Sequence, residues 1–140
     1  MEWQLKTKIE WQDGVHFIAN TESGNKISMD GPIESGGSNN GARPTELLIS
    51  GMGGCTAFDV VSIAQYKGIK ISEFEIDIDA SRTETKPSLI NKIHLQYRIK
   101  SDESNESELN KIVKLSVKKQ CSCCIILSKA ADITYSLEIY

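Results

Sequence analysis

Four cysteines are the residues of this chain best suited to redox or metal chemistry. Cys55 stands apart, whereas Cys121, Cys123 and Cys124 fall within one short stretch. We expect a reducing compartment, in which standing structural disulfides do not form. Three uses of these thiols remain open: catalysis, metal binding, or simple burial as small apolar side chains.

Cys55 lies in the apolar stretch Gly41–Lys67, which predicts a long buried central helix. Pro44 fits the first helical position of that stretch. Three glycines precede the cysteine, and they are Gly51, Gly53 and Gly54. Each glycine weakens a helix by about 1 kcal/mol relative to alanine, so we expect either that another element packs close to the backbone there or that the helix bends. The glycines and polar residues argue against a membrane span.

Cys121 lies where one predicted short helix ends and the next begins, with Lys118 and Lys119 directly upstream. A helix N-terminus and nearby cations stabilise a thiolate, so the pKa of Cys121 is predicted to lie below those of Cys123 and Cys124. The latter two are predicted to be core thiols of the second short helix. Cys55, in the middle of its helix, requires a nearby cation or hydrogen-bond donor to become reactive.

A metal site is an alternative use of the second cysteine cluster, together with His16 or His94. A single C-x-C followed by an adjacent cysteine does not match the C-x₂₋₄-C pairs of structural zinc sites. Both histidines fall in strand patterns. The sequence therefore predicts no metal site and no cofactor.

The periodicity of the apolar residues predicts an α+β fold formed by a single domain, residues 1–140. Its expected order is β-β-β-α-β-β-α-α-β with antiparallel strands. The predicted strands centre on Trp3–Trp11, Val15–Ala19, Ile27–Met29, Phe74–Ala80, Ile93–Ile99 and Ile133–Ile139. Two short helices separate the last two strands, and the loop Gly31–Gly41 is expected to be mainly a connector.

The net charge of −3 and the pI of about 5.4 argue against nucleic acid as a main partner. Met1 to Gln4 lead into an alternating polar pattern rather than a signal peptide. We therefore expect a cytoplasmic protein with no membrane partner.

Two motifs resemble those of the OsmC/Ohr family. The runs Pro44–Leu48 and Gly53–Thr56 resemble its P-x-E-L-L…G-G-C element, and Lys119–Ser122 resembles its K-x-C-S/P motif. The predicted element order is similar along essentially the whole chain. The D-V-V run, Asp59–Val61, is most similar to the YhfA-like branch.

This resemblance implies an intertwined homodimer in which the two long helices pack back to back and the sites lie at the subunit interface. It implies that Cys55 is oxidised by an organic hydroperoxide to a sulfenic acid and that Cys121 then forms a disulfide with it. A dithiol such as a lipoyl protein would reduce that disulfide. The activity implied is that of a hydroperoxide reductase.

Two departures from the family pattern weaken the expected activity. Well-characterised branches carry a glutamate directly after the motif's proline, where this chain has Thr45, and Glu46 follows one place later. One residue along a helix is a rotation of about 100°. Those branches also carry an arginine near the N-terminal strands, whereas no arginine precedes Arg43 here. Arg43 is a candidate substitute, and the alternative function is a binding protein for small thiol or hydrophobic ligands.

Overall fold

The computed structural model describes residues 4–140 and divides into two compact units, which meet in sequence between Leu48 and Ile49. Its elements follow the order β-β-β-α-β-β-α-α-β, which confirms the predicted α+β fold. That the chain forms a single domain stays a prediction.

The first unit contains a three-stranded antiparallel sheet in the order β1-β2-β3. Its strands are β1 (Thr7–Asp13), β2 (His16–Thr21) and β3 (Lys26–Met29). Gly14, with φ of 49°, makes the predicted turn between β1 and β2. Apolar and polar residues alternate along β1, which is the pattern of a half-buried strand, yet all its residues are exposed in this chain, Ile9 and Trp11 included. Trp3 lies outside the described residues.

The loop after β3 is organised by the buried carboxylate of Asp30. It accepts backbone hydrogen bonds from Gly31 at 2.7 Å, Asn40 at 3.0 Å and Ser38 at 3.1 Å. The bond from Asn40 is the largest cause of a lowered Asp30 pKa, and burial opposes it. The loop is therefore an ordered structure built around one side chain.

The helix α1 (Pro44–Tyr66) has one buried and one exposed side, so the expectation of burial on nearly all sides is wrong for this chain by itself. The buried residues form one stripe along the helix: Met52, Gly53, Thr56, Val60 and Ala64. Leu48 and Phe58 are apolar yet exposed, Phe58 by 73%. By length and hydropathy the helix would also suffice to cross a membrane, contrary to expectation, but its buried side belongs to the core of the second unit.

The glycines of α1 do not share one environment. A Cβ placed on Gly53 would lie 2.6 Å from Cδ1 of Ile78, which belongs to the second sheet. Gly53 thus allows α1 to approach its own sheet. Gly51 and Gly54 have no such neighbour within 4 Å in this chain.

The second unit contains a sheet in the order β4-β5-β6. The strands are β4 (Glu73–Arg82), β5 (Ile90–Lys100) and β6 (Asp132–Ile139). β4 and β5 are antiparallel, but β5 and β6 are parallel, so the antiparallel prediction is wrong for the last strand. The chain passes from β5 to β6 through helices, and a crossover of this kind is what a parallel pair requires.

The acidic residues of β4 lie on its exposed side, and three of them are paired, Glu73 with Lys100 at 4.0 Å. Glu75 forms an ion pair of 2.9 Å with Arg98 on β5, and Asp77 contacts the same guanidinium. The opposite side of β5 contributes Ile93, Leu95, Tyr97 and Ile99 to the core.

The helical connection comprises α2 (Glu106–Leu115), a π-helical turn (Ser116–Gln120) and α3 (Ser122–Ser128). The turn closes with a 2.8 Å hydrogen bond from the Cys121 N–H to the Ser116 carbonyl oxygen. This turn was not predicted from the sequence. It carries the chain from α2 to Cys121, which caps α3.

Candidate functional site

A buried polar network ties the α1 segment around Cys55 to the turn before Cys121. The Thr56 hydroxyl lies 2.7 Å from the hydroxyl of Tyr97 and 2.7 Å from that of Ser116. Ser116 Oγ donates to the Asp59 carboxylate at 3.0 Å. Because each hydroxyl has a partner, the network positions the two cysteine-bearing elements without an unsatisfied buried group.

Cys55 faces the first turn of α3 and is half-buried. Its Sγ lies 3.9 Å from Oγ of Ser122. Partial burial disfavours the Cys55 thiolate, whereas the backbone N–H of Cys123 donates a hydrogen bond that favours it. The side chains of Cys121, Ser122 and Cys123 favour it as well, and the net effect is a lowered Cys55 pKa. The hydrogen-bond donors that the mid-helix position requires thus come from α3.

Cys121 is completely buried, and its pKa is raised rather than lowered. Its Sγ accepts a hydrogen bond from the Cys124 N–H at 3.3 Å and lies 4.0 Å from the Met52 carbonyl oxygen. Burial raises the Cys121 pKa, the hydrogen bond from the Cys124 N–H opposes this shift, and the side chains of Cys124 and Cys55 raise the pKa further. The predicted low pKa of Cys121 is therefore wrong. Lys118 and Lys119 are exposed and are not among the main causes of the shift.

The two remaining cysteines differ from each other. Cys124 is buried in the core, as predicted, and burial raises its pKa. Cys123 is half-exposed, and its thiol interacts with that of Cys55. Burial is the first cause of the raised Cys123 pKa, and the nearby Cys55 charge is the second. The prediction of two equivalent core thiols therefore holds for Cys124 alone. All four cysteines are free thiols.

The metal alternative finds no support within residues 4–140, where no group of three or more His, Cys, Asp or Glu side chains could hold a metal ion. The His94 ring contacts the hydroxyls of Thr134 at 2.7 Å and Ser136 at 3.0 Å. The His16 ring contacts Ser28 Oγ at 2.7 Å. Both histidines thus have structural partners on neighbouring strands.

The other predicted site residues, Arg43, Thr45 and Glu46, belong to the first unit, whereas Cys55 belongs to the second. The Arg43 guanidinium donates to the carbonyl oxygen of Asp30 and to Asn39 Oδ1. Glu46 accepts a 2.8 Å hydrogen bond from the Arg43 backbone N–H, which is a helix-capping contact. A role for these three residues in activating Cys55 stays a prediction.

The first unit also contains an apolar cavity of about 650 Å³ that the sequence analysis missed. Its lining includes Ile9, Val15, Phe17, Met29, Pro32 and Arg43. The alternating apolar residues of β1 and β2 are the signal in the sequence that could have indicated it.

Comparisons with known proteins agree with this architecture. Residues 37–136 match the family model of the OsmC-like proteins. Protein YhfA of Escherichia coli strain K12 is 32% identical over 135 residues, covering 96% of this chain and 98% of YhfA. A structure from a structural genomics effort has a TM-score of 0.86 at 30% identity and covers 96% of this chain and 97% of its own.

A more distant structural neighbour is the organic hydroperoxide resistance protein OsmC of Legionella pneumophila. Its TM-score is 0.72 at 19% identity, with 97% of each chain covered, which shows a shared fold. The family model spans most of the chain and the YhfA match spans nearly all of it. The chain therefore belongs to the family of OsmC-like proteins.

Proposed function

We propose that this protein is a thiol-dependent redox protein that reduces organic hydroperoxides through Cys55 and Cys121. The Cys55 thiolate attacks the terminal oxygen of ROOH, and the O–O bond breaks. The alkoxide that leaves takes up one proton and becomes the alcohol ROH. Cys55 becomes a sulfenic acid. The Cys121 thiol then attacks its sulfur, so that a Cys55–Cys121 disulfide forms and water leaves. An external dithiol, such as a lipoyl protein, reduces the disulfide.

The observation that carries this proposal is the contrast between the two thiols. Cys55 is half-buried, and its pKa is lowered by donors from the first turn of α3. Cys121 caps that same helix and retains its proton because it is buried. The thiolate is the nucleophile toward a peroxide, so Cys55 takes the attacking role and Cys121 the resolving role.

The family match supports this chemistry, because structural neighbours of the chain include organic hydroperoxide resistance proteins. Exposed apolar side chains support the proposed homodimer. Ile9 and Trp11 on β1 and Phe58 on α1 are all more than half exposed. An interface between two copies would remove such surfaces from water. The four free thiols fit the reducing conditions of the proposed cytoplasmic location.

We propose that turnover is slow compared with the best enzymes of this type. Arg43 and Glu46 are engaged in contacts that order the loop and cap α1. A cation next to the reacting thiol would lower its pKa further. Each unit by which the pKa falls increases the fraction of thiolate by up to tenfold.

A peroxidase assay tests the proposal. Cumene hydroperoxide and hydrogen peroxide are each supplied with a dihydrolipoyl or a thioredoxin reductant. We expect consumption of cumene hydroperoxide with the dihydrolipoyl donor, at a rate constant well below about 10⁶ M⁻¹s⁻¹. Cys55→Ser should abolish it. Consumption that survives Cys55→Ser would refute the proposed chemistry, and a rate near that limit would refute slow turnover.

The apolar cavity of the first unit supports a second candidate function, the binding of small hydrophobic or thiol ligands. This function predicts saturable binding of an apolar probe in the absence of peroxide. Phe17→Asp should weaken the binding, because Phe17 lines the cavity, while Cys55→Ser should leave it unchanged. Probe binding together with no peroxide consumption would favour this candidate.

A further inference from the structure

We propose that Cys123 is a second resolving thiol for Cys55, so that the oxidised protein contains a Cys55–Cys123 disulfide in exchange with Cys55–Cys121. This proposal rests on the proposed function. It assigns a catalytic role to a residue that lies outside both cysteine motifs of the sequence analysis.

Three contacts indicate this role. The Sγ of Cys55 lies 3.9 Å from Oγ of Ser122, which places Cys55 against the first turn of α3. Cys123 is the next residue of that turn, and both its backbone N–H and its thiol interact with Cys55. Cys121 lies on the other side of Ser122, within the core, where its Sγ is 4.0 Å from the Met52 carbonyl oxygen. Cys55 therefore has two thiols within reach.

The two thiols differ in exposure. Cys121 has no exposed surface, so a disulfide between Cys55 and Cys121 offers an external reductant only the sulfur of Cys55. Cys123 is half-exposed. A Cys55–Cys123 disulfide would present both of its sulfurs at the half-buried side of the site. Thiol–disulfide exchange depends on access to the sulfur that is attacked, so this second disulfide is the better substrate for a dithiol.

The steps balance without a further oxidant. The Cys123 thiol either attacks the Cys55 sulfenic acid, in which case the leaving hydroxide takes up the thiol proton and departs as water, or attacks, as the thiolate, the Cys55 sulfur of the Cys55–Cys121 disulfide. In the second case the Cys55–Cys121 bond breaks, Cys121 takes up a proton, and the Cys55–Cys123 bond forms. The hydroperoxide is the only oxidant and the external dithiol the only reductant.

Variants that retain Cys55 and one other cysteine test the pairing. Cys121→Ala/Cys124→Ala retains Cys123, Cys123→Ala/Cys124→Ala retains Cys121, and Cys121→Ala/Cys123→Ala retains Cys124. The last variant is the matched control. Cys124 is buried, and its side chain forms a hydrogen bond with Cys121 and none with Cys55. Circular dichroism establishes that each variant is folded.

Each variant receives one equivalent of either diamide or cumene hydroperoxide, followed by a thiol-blocking reagent and trypsin. The expected product is tryptic peptide 27–67 linked to peptide 120–129. We expect at least tenfold more of this product in the Cys123-retaining variant than in the Cys124-retaining control. Equal yields in those two variants would overturn the proposal. Fragmentation of the linked peptides from the unmutated protein is a second measurement, because it identifies the bonded cysteines. If it shows only a Cys55–Cys121 bond, the proposal is also overturned.

The two oxidants separate this inference from the proposed function. Diamide joins neighbouring thiols whether or not Cys55 reacts with peroxides, so it tests the pairing by itself. If only the diamide product forms, the pairing stands and the hydroperoxide activity fails. If the Cys123-retaining variant accumulates a dimedone-reactive sulfenic acid after peroxide treatment, and the Cys121-retaining variant does not, Cys123 does not resolve Cys55.

Discussion

The hydroxyls of Thr56 and Ser116 lie 2.7 Å apart, although the two residues are 60 positions apart in the chain. Thr56 follows Cys55, and Ser116 is the first residue of the π-helical turn that ends before Cys121. This hydrogen bond thus joins α1, next to Cys55, to the turn that leads to Cys121. π-helical turns are frequent at functional sites, where they adjust the position of a side chain relative to a regular helix.

Removing the Ser116 hydroxyl should destabilise the protein. Ser116→Ala leaves Thr56 and Asp59 without a shared partner, so we expect the free energy of unfolding to fall by roughly 1–3 kcal/mol. Tyr97→Phe should cost less, about 1 kcal/mol, because Thr56 retains its bond to Ser116. Urea unfolding measures both effects. Ser128→Ala, an exposed serine of α3, is the control, and equal stability of Ser116→Ala and this control would contradict the structural role.

Cys55 should be the most reactive thiol at neutral pH. Its lowered pKa predicts that the rate of iodoacetamide labelling of Cys55 rises with a midpoint at lower pH than for the other three cysteines, whose pKa values are raised. The raised pKa of Cys121 predicts that this thiol is labelled only at higher pH. Mass spectrometry of labelled peptides measures the midpoints. A lower midpoint for Cys121 than for Cys55 would contradict this order of reactivity.

Ser122 should contribute to the reactivity of Cys55. Ser122→Ala removes a side-chain hydrogen bond that lowers the Cys55 pKa, so labelling of Cys55 at pH 7 should slow by up to about tenfold per pKa unit. Ser128→Ala lies at the far end of the same helix and should leave that rate unchanged. If iodoacetamide labels Cys55 equally fast in both variants, the Ser122 hydroxyl does not stabilise the thiolate.

Substitutions at the α1 glycines should separate folding from dimer formation. Gly53→Leu would force a side chain into the space of Ile78, and overpacking of this kind costs roughly 1–3 kcal/mol. Gly54→Leu has open space in the single chain, so it should leave the protomer folded and weaken the proposed dimer. Light scattering and circular dichroism distinguish the two effects. If the Gly54→Leu variant is still fully dimeric, Gly54 does not lie in the proposed interface.

Local signals were sufficient to predict most elements of the fold. Pro44 begins α1, and Gly68, with φ of 73°, follows its end, because both residues have backbone preferences that do not depend on distant contacts. Alternation predicted β5 within a few residues, since one of its faces is buried. The motifs around Cys55 and Cys121 likewise identified the family, and the match over most of the chain confirmed it.

Tertiary structure decided what depends on contacts through space. Gly53 and Gly54 are adjacent in sequence, yet only Gly53 meets the sheet, because α1 turns by about 100° at each residue. The pKa of Cys121 was predicted to lie below those of Cys123 and Cys124, and this prediction was wrong for a related reason. Burial and hydrogen bonds set a thiol pKa, and the sequence does not reveal that α3 directs its donors to Cys55 and holds Cys121 within the core.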